Sequence, residues 1–288
     1  GTLGDICQAT ADFRDQYYGL KPAIEECGDP IDEDVVPVVT TGVLDAARCH
    51  WGHRPIRLFG QEWSKPGIRI PALSESMRSW ATTRLVPKIM LPTQTRTLEP
   101  VLDITGHWLP SVPIITITTT RPDDLARIGA VLACPLISLV AIHRFLGTAR
   151  NPKAIKLSAR DVLMLPTPAD TDAWDAGADS FRLAQEAVTQ EQCDEHLADC
   201  AAHMSTAYAV KKAIGPQEWT DQLSLLPEEY VSRLRCMAPS WRAEREYRSH
   251  RPRHHHRCHL HTTGRTWLCH SDLHSTGHAL NRTCLAST

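Results

Sequence analysis

Along residues 34–120 the apolar positions come in short runs cut by proline and glycine, whereas after residue 121 they recur at helical spacing. DVVPVVTTGVLD (34–45) is β-branched and bounded by aspartate, which predicts a strand with a bend at Gly42. HRPIRLFG (53–60) alternates and predicts a second strand. SESMRSWATTRL (74–85) opens with Ser and Glu and carries apolar residues at helical spacing, so it predicts a helix. The stretch 85–120 reads as short strands separated by Pro and Gly, and PIITITTT is the strongest strand former in the chain. At 121–147 the period changes: Pro-Asp-Asp suits a helix start, Leu125, Ile128, Val131 and Leu132 follow at helical spacing, Pro135 divides the run and Gly147 ends it.

Beyond this pair, Val162, Leu163, Met164 and Leu165 predict a short strand stopped by Pro166 and Pro168. A helical pattern then runs from Ala173 to about Lys212, and PQEWTDQLSLLPEEYVSRLRCM forms a smaller helical unit. The opening TLGDICQATADF reads as a short apolar segment and a polar loop. The expected fold class is α+β: an irregular β-rich domain with a helix pair over residues 1–170, C-terminal helices over 171–245, and a tail over 246–288. That tail holds most of the histidines, few aliphatic residues and no regular period, so it is expected to be disordered. Cys258, His259, His261, Cys269 and His270 have zinc-ligand chemistry. Their cysteines are not paired as CxxC and their histidines lack a finger-like spacing, which favours the disordered extension over a metal site.

Charge adds little at the global level: 31 basic and 33 acidic side chains leave a formal charge of −2, so any surface for a polyanion must be local. No run approaches the length needed to cross a bilayer, and the N-terminus lacks a basic region followed by an apolar block. A cytoplasmic location with reduced cysteines is therefore expected. The chain has no initiator methionine and is expected to be an internal piece of a longer protein.

Familiar catalytic motifs are missing: there is no glycine-rich phosphate loop, no GxSxG elbow and no HExxH. His50, His53, His107, His143, His196 and His203 are scattered without a supporting spacing, and Asp123–Asp124 reads as a helix start. Cys27, Cys49 and Cys134 read as small buried apolar residues.

The order of segments resembles the target-recognition region of N6-adenine DNA methyltransferases of the restriction-modification type. TLGDICQATADFRDQYYGL is similar to that family's opening strand and polar loop, and VVPVVTTGVLDAARCHWGHRPIRLFG to the strand and basic-aromatic loop that follow. LVPKIMLPTQTRTLEPVLDITGHWLPSVPIITI resembles its lysine-bearing strand and hairpin, DDLARIGAVLACPLISLVAIHRFLG its helix pair, and AIKLSARDVLMLPTP its closing strand. The likeness covers about residues 2–170 and lies mainly in the order of elements.

The resemblance implies double-stranded DNA as partner, with Lys153, Lys156 and Arg160 meeting phosphates around Ser158 at the rim of a cleft. Lys88 and Arg96 are further phosphate candidates, and Gln94 or Arg96 suits a base edge, since Gln pairs with adenine and Arg with guanine. Trp51 and His53 beside Arg54 and Arg57 form a second aromatic-cationic cluster. The alternatives are a solvated basic loop at 153–160, a strand that alternates in and out of a sheet at 88–96, and a half-buried tryptophan on a loop. The family's Asn/Asp-Pro-Pro-Tyr/Phe motif and its glycine-bearing loop for S-adenosylmethionine do not occur in this chain. The chain alone is thus expected neither to hold that cofactor nor to methylate DNA, and a catalytic domain upstream or in trans is the implied partner. The competing function is a protein-interaction or structural domain without DNA activity.

Overall fold

A computed structural model describes residues 1–12, 14–95, 97–145 and 155–209. The expected helical unit after residue 212, the tail at 246–288, and Arg96 and Lys153 lie outside the described residues. The described part is α+β and belongs to one compact unit.

In chain order, a 3-10 turn at Leu3–Asp5 leads into β1 (Gln8–Ala11), α1 (Arg14–Gly19), β2 (Ile24–Glu26) and β3 (Val35–Val39). The hairpins β4 (Leu44–Asp45) with β5 (Arg48–Cys49) and β6 (Ile56–Leu58) with β7 (Gln61–Trp63) precede β8 (Pro66–Arg69) and α2 (Glu75–Arg84). Then come β9 (Lys88–Pro92), β10 (Gln94–Thr95), β11 (Val101–Asp103), β12 (Leu109–Pro110) and β13 (Ile114–Thr118). Helices α3 (Asp124–Ala133) and α4 (Pro135–Phe145), strand β14 (Ile155–Lys156), and helices α5 (Ala159–Leu163), α6 (Thr171–Glu186) and α7 (Gln190–Ala207) complete it.

The central sheet has the order β1-β13-β9-β11, antiparallel throughout. Both of its faces are covered, which is why KIML and PIITI are almost continuously apolar. Ile89, Leu91, Ile115 and Ile117 face a core built with α3 to α7, while Met90, Val101 and Ile114 face a second core with Val38, Val39, Ile56, Leu58 and Ile68. The second sheet, β12-β3-β8-β2, supplies part of that second core, and its β12–β3 pair is parallel.

The helices begin where their caps require. The Ser74 hydroxyl accepts from Met77 N–H at 3.4 Å to start α2, and Thr189 forms a capping box with Gln192 to start α7. Pro135 is the first residue of α4, and α3 and α4 meet at 63°. Among the described residues no single helix is long and apolar enough to cross a membrane.

Two expectations change. The VLML segment is not a strand: Ser158 and Asp161 form a capping box that starts α5, and the chain turns after it. Val162 and Leu165, three apart, are the buried pair, as a helical turn requires, and Leu165 N–H donates to Val162 O at 3.1 Å. The apolar opening segment is the 3-10 turn, seated against Leu163 and Leu165, and the strand starts only at Gln8.

The helices after residue 170 share the core of the first segment. Phe181 is fully buried against Gly129 of α3, and Trp174 Nε1 donates to Arg127 O at 2.8 Å. Leu102 N–H donates to Gln185 Oε1 at 2.8 Å, and Gln185 Nε2 donates back to Leu102 O. The Gln185 amide thereby occupies the outer edge of β11, which would otherwise present unpaired backbone groups.

Candidate nucleic-acid interface

β9 ends at Pro92, whose ring cannot donate to a ladder, and the chain leaves the central sheet there. Thr93 bridges two neighbours: its N–H donates to Pro113 O at 3.2 Å and its C=O accepts from Leu157 N–H at 3.0 Å. This places β10 against β14, with Gln94 opposite Lys156 and Thr95 opposite Ile155. Thr95 and Ile155 are buried, so the period-two alternation turns Gln94 and Lys156 outward together. Residues directly opposite in such a ladder have Cβ atoms about 5 Å apart. An amide and an ammonium from segments some sixty residues apart thus stand side by side.

Ser158 and Arg160 follow immediately. The Ser158 hydroxyl donates to Asp161 Oδ2 at 2.7 Å and accepts from Asp161 N–H at 3.2 Å, while Ser158 N–H donates to the same carboxylate at 2.8 Å. These bonds engage Ser158 in the start of α5. Arg160, on the first turn of α5, is exposed. Helix α5 packs on β1 and the Leu3–Asp5 turn. Its C-terminal end lies at Gly4, so its N-terminal end is directed along β1.

Lys88 does not belong to this surface. It is fully buried, and its Nζ lies 2.5 Å from Asp103 Oδ2 because β9 and β11 pair Lys88 with Asp103. Burial pushes the Lys88 ammonium below its ordinary range, against the pull of Asp103. The same carboxylate accepts from the N–H groups of Gly106 at 2.9 Å, His107 at 3.2 Å and Trp108 at 3.0 Å, so the pair organises the loop after β11. The one sequence signal for this was Asp-x-x-Gly at 103–106, a side chain able to bond its own turn. Nothing local pointed to the lysine.

Trp51 and Arg54 are likewise engaged within the fold. Trp51 Nε1 donates to Pro66 O at 3.0 Å, and Arg54 Nη2 donates to Asp45 Oδ2 at 2.7 Å. The ring of Trp51 packs on the second core, so this cluster braces the β4–β5 hairpin. Among the described residues no group of three or more His, Cys, Asp or Glu side chains is arranged to hold a metal ion. Cys27 and Cys134 are buried, and desolvation pushes both thiols up to about 11; Cys49 is half-buried and is pushed up to about 11 by the same cause.

The hairpin gives a pH prediction. Asp45 is buried, which opposes its charged form, but His50 Nε2 at 3.1 Å and Arg54 outweigh burial and hold the carboxyl well below the usual range. A depressed folded-state value gives stability that is complete above the unfolded value of about 3.9 and is lost as pH falls below it. Thermal melts of the parent should therefore drop steeply in acid. Asp45→Asn should be less stable at neutral pH and less sensitive to acid; an unchanged acid slope in this variant would remove Asp45 as the cause.

No protein-family profile matches the chain, and no curated protein matches it either.

Proposed function

We propose that this chain is a DNA-binding module, the target-recognition part of a site-specific N6-adenine DNA methyltransferase of the restriction-modification type. The observation that carries the reading is the β10–β14 ladder, which sets Gln94 beside Lys156 on the exposed face of a short strand pair whose other face is buried. In the major groove of duplex DNA a glutamine amide can pair with the N6 and N7 edge of adenine. Lys156 and Arg160 supply the phosphate contacts that hold register. Methyl transfer and S-adenosylmethionine belong to a catalytic domain upstream or in trans.

Gel shifts on a labelled random-sequence duplex pool, across a salt series, test this. Lys156→Ala and Arg160→Ala should each weaken binding to all sequences and flatten the plot of log affinity against log salt by about 0.9. Gln94→Ala should keep the slope and lose discrimination among sequences, at roughly 1–3 kcal/mol for the base it reads. Absence of salt-dependent duplex binding by the parent would replace this reading with the protein-interaction domain.

A further inference from the structure

We infer that Arg14 and Tyr18 form a second phosphate contact for the same DNA, at the same end of the central sheet; this rests on the DNA-binding reading above. Strands β1 and β9 are both antiparallel to β13, hence parallel to one another, with Ala11 aligned through Ile115 to Leu91. Both strands therefore leave the sheet at one end, separated by two strand spacings, or about 9.5 Å. After Leu91 the chain reaches Gln94; after Ala11 it reaches α1. Helix α5, with exposed Arg160 on its first turn, packs on β1.

Helix α1 presents Arg14 and Tyr18 four residues apart, on one face. Both are exposed, and the Arg14 guanidinium carbon sits 5.2 Å from the centroid of the Tyr18 ring. The ring holds the cation in place through its π face, so less rotamer freedom is lost on binding an anion. Tyr18 is itself held: it meets Tyr17 edge-on at 5.2 Å, Tyr17 packs on Phe59 at 4.8 Å, and the Tyr17 hydroxyl accepts from Phe59 N–H at 3.2 Å. The helix sits close on α2 because Gly19 has no Cβ, which would overlap Met77.

Nearby acid does not cancel this cation. The Asp12 carboxylate is taken by Arg84, at 2.6 Å from Nη2 and 3.0 Å from Nε, and by Trp80 Nε1 at 2.9 Å. Asp15 is exposed, but one position along an α-helix turns it about 100° away from Arg14. What remains is a guanidinium over the ring of a tyrosine whose hydroxyl is a second donor, both of the kind that grip phosphate oxygens.

The test uses the full chain and the same duplex pool. Arg14→Ala should weaken binding to every sequence and flatten the salt slope by about 0.9, whereas Arg14→Lys should keep the slope. Tyr18→Ala should weaken binding with little change in slope, because it removes the support and a hydroxyl but no charge. Circular dichroism melts of each variant establish that it folds, and the surface position of Arg14 keeps the test open if Tyr18→Ala does not. If Arg14→Ala and Arg14→Lys bind as the parent does while Lys156→Ala is weakened, this inference falls and the DNA reading stands. If the parent shows no salt-dependent binding, both fall. Binding of a protein partner that is lost in Arg14→Ala, with duplex affinity unchanged, would make α1 a protein-docking surface instead.

Discussion

Replacing Asp103 by alanine should lower the free energy of unfolding by about 3–5 kcal/mol, the range for breaking one partner out of a buried ion pair. The side chains of Lys88 and Asp103 are both fully buried. Alanine at 103 leaves the Lys88 ammonium without its carboxylate, with only the Val86 carbonyl at 3.3 Å to accept from it. It also orphans the N–H groups of Gly106, His107 and Trp108. Lys88→Met should cost less, because methionine fills similar volume and Asp103 keeps its backbone donors. Urea denaturation measures both, and Asp103→Ala within about 1 kcal/mol of the parent would contradict the pair. For the proposed DNA surface the consequence is indirect: Lys88 begins the strand whose other end leads to Gln94, so this ion pair anchors the β10–β14 ladder from within the core.

Phe181→Ala should cost a similar amount, about 3–5 kcal/mol, because a fully buried ring leaves a cavity that its neighbours fill only in part. The ring lies against Gly129, where a Cβ would overlap it. Gly129→Ala alone should therefore destabilise by overpacking, by roughly 1–3 kcal/mol. Combining it with Phe181→Leu should recover part of the loss, since the two sites share one space. The transition should remain single in each variant, because α6 and α7 close the same core as the central sheet. A two-step melt in Phe181→Ala would mean that the helices after residue 170 unfold as a separate domain.

Both residues bear on what was legible beforehand. Phe181 lies in a pattern that predicts a helix, yet nothing in that pattern says the helix belongs to the core of the preceding segment. Lys88 reads as a cation at a strand start, and charge type alone points it toward phosphate. Its actual partner stands opposite on β11, a neighbour that register and not chain position supplies. Ser158 is the converse case: the Ser-x-x-Asp capping signal was present locally, and the apolar VLML run drew the reading toward a strand.

The sequence by itself determined the α+β class, strand β13, the Ser74 start of α2 and the break at Pro135, because caps, proline geometry and side-chain periods act over a few residues. Gln94, Lys156 and Arg160 stand out in the sequence only by chemical type and by the family resemblance. The tertiary structure alone decided that Gln94 faces Lys156, that β1 and β9 leave the central sheet at the same end, and that Lys88 is buried on Asp103. Strand pairing joins segments distant along the chain, and the register that selects which side chains meet comes from packing both faces of the sheet at once. No local period encodes that choice.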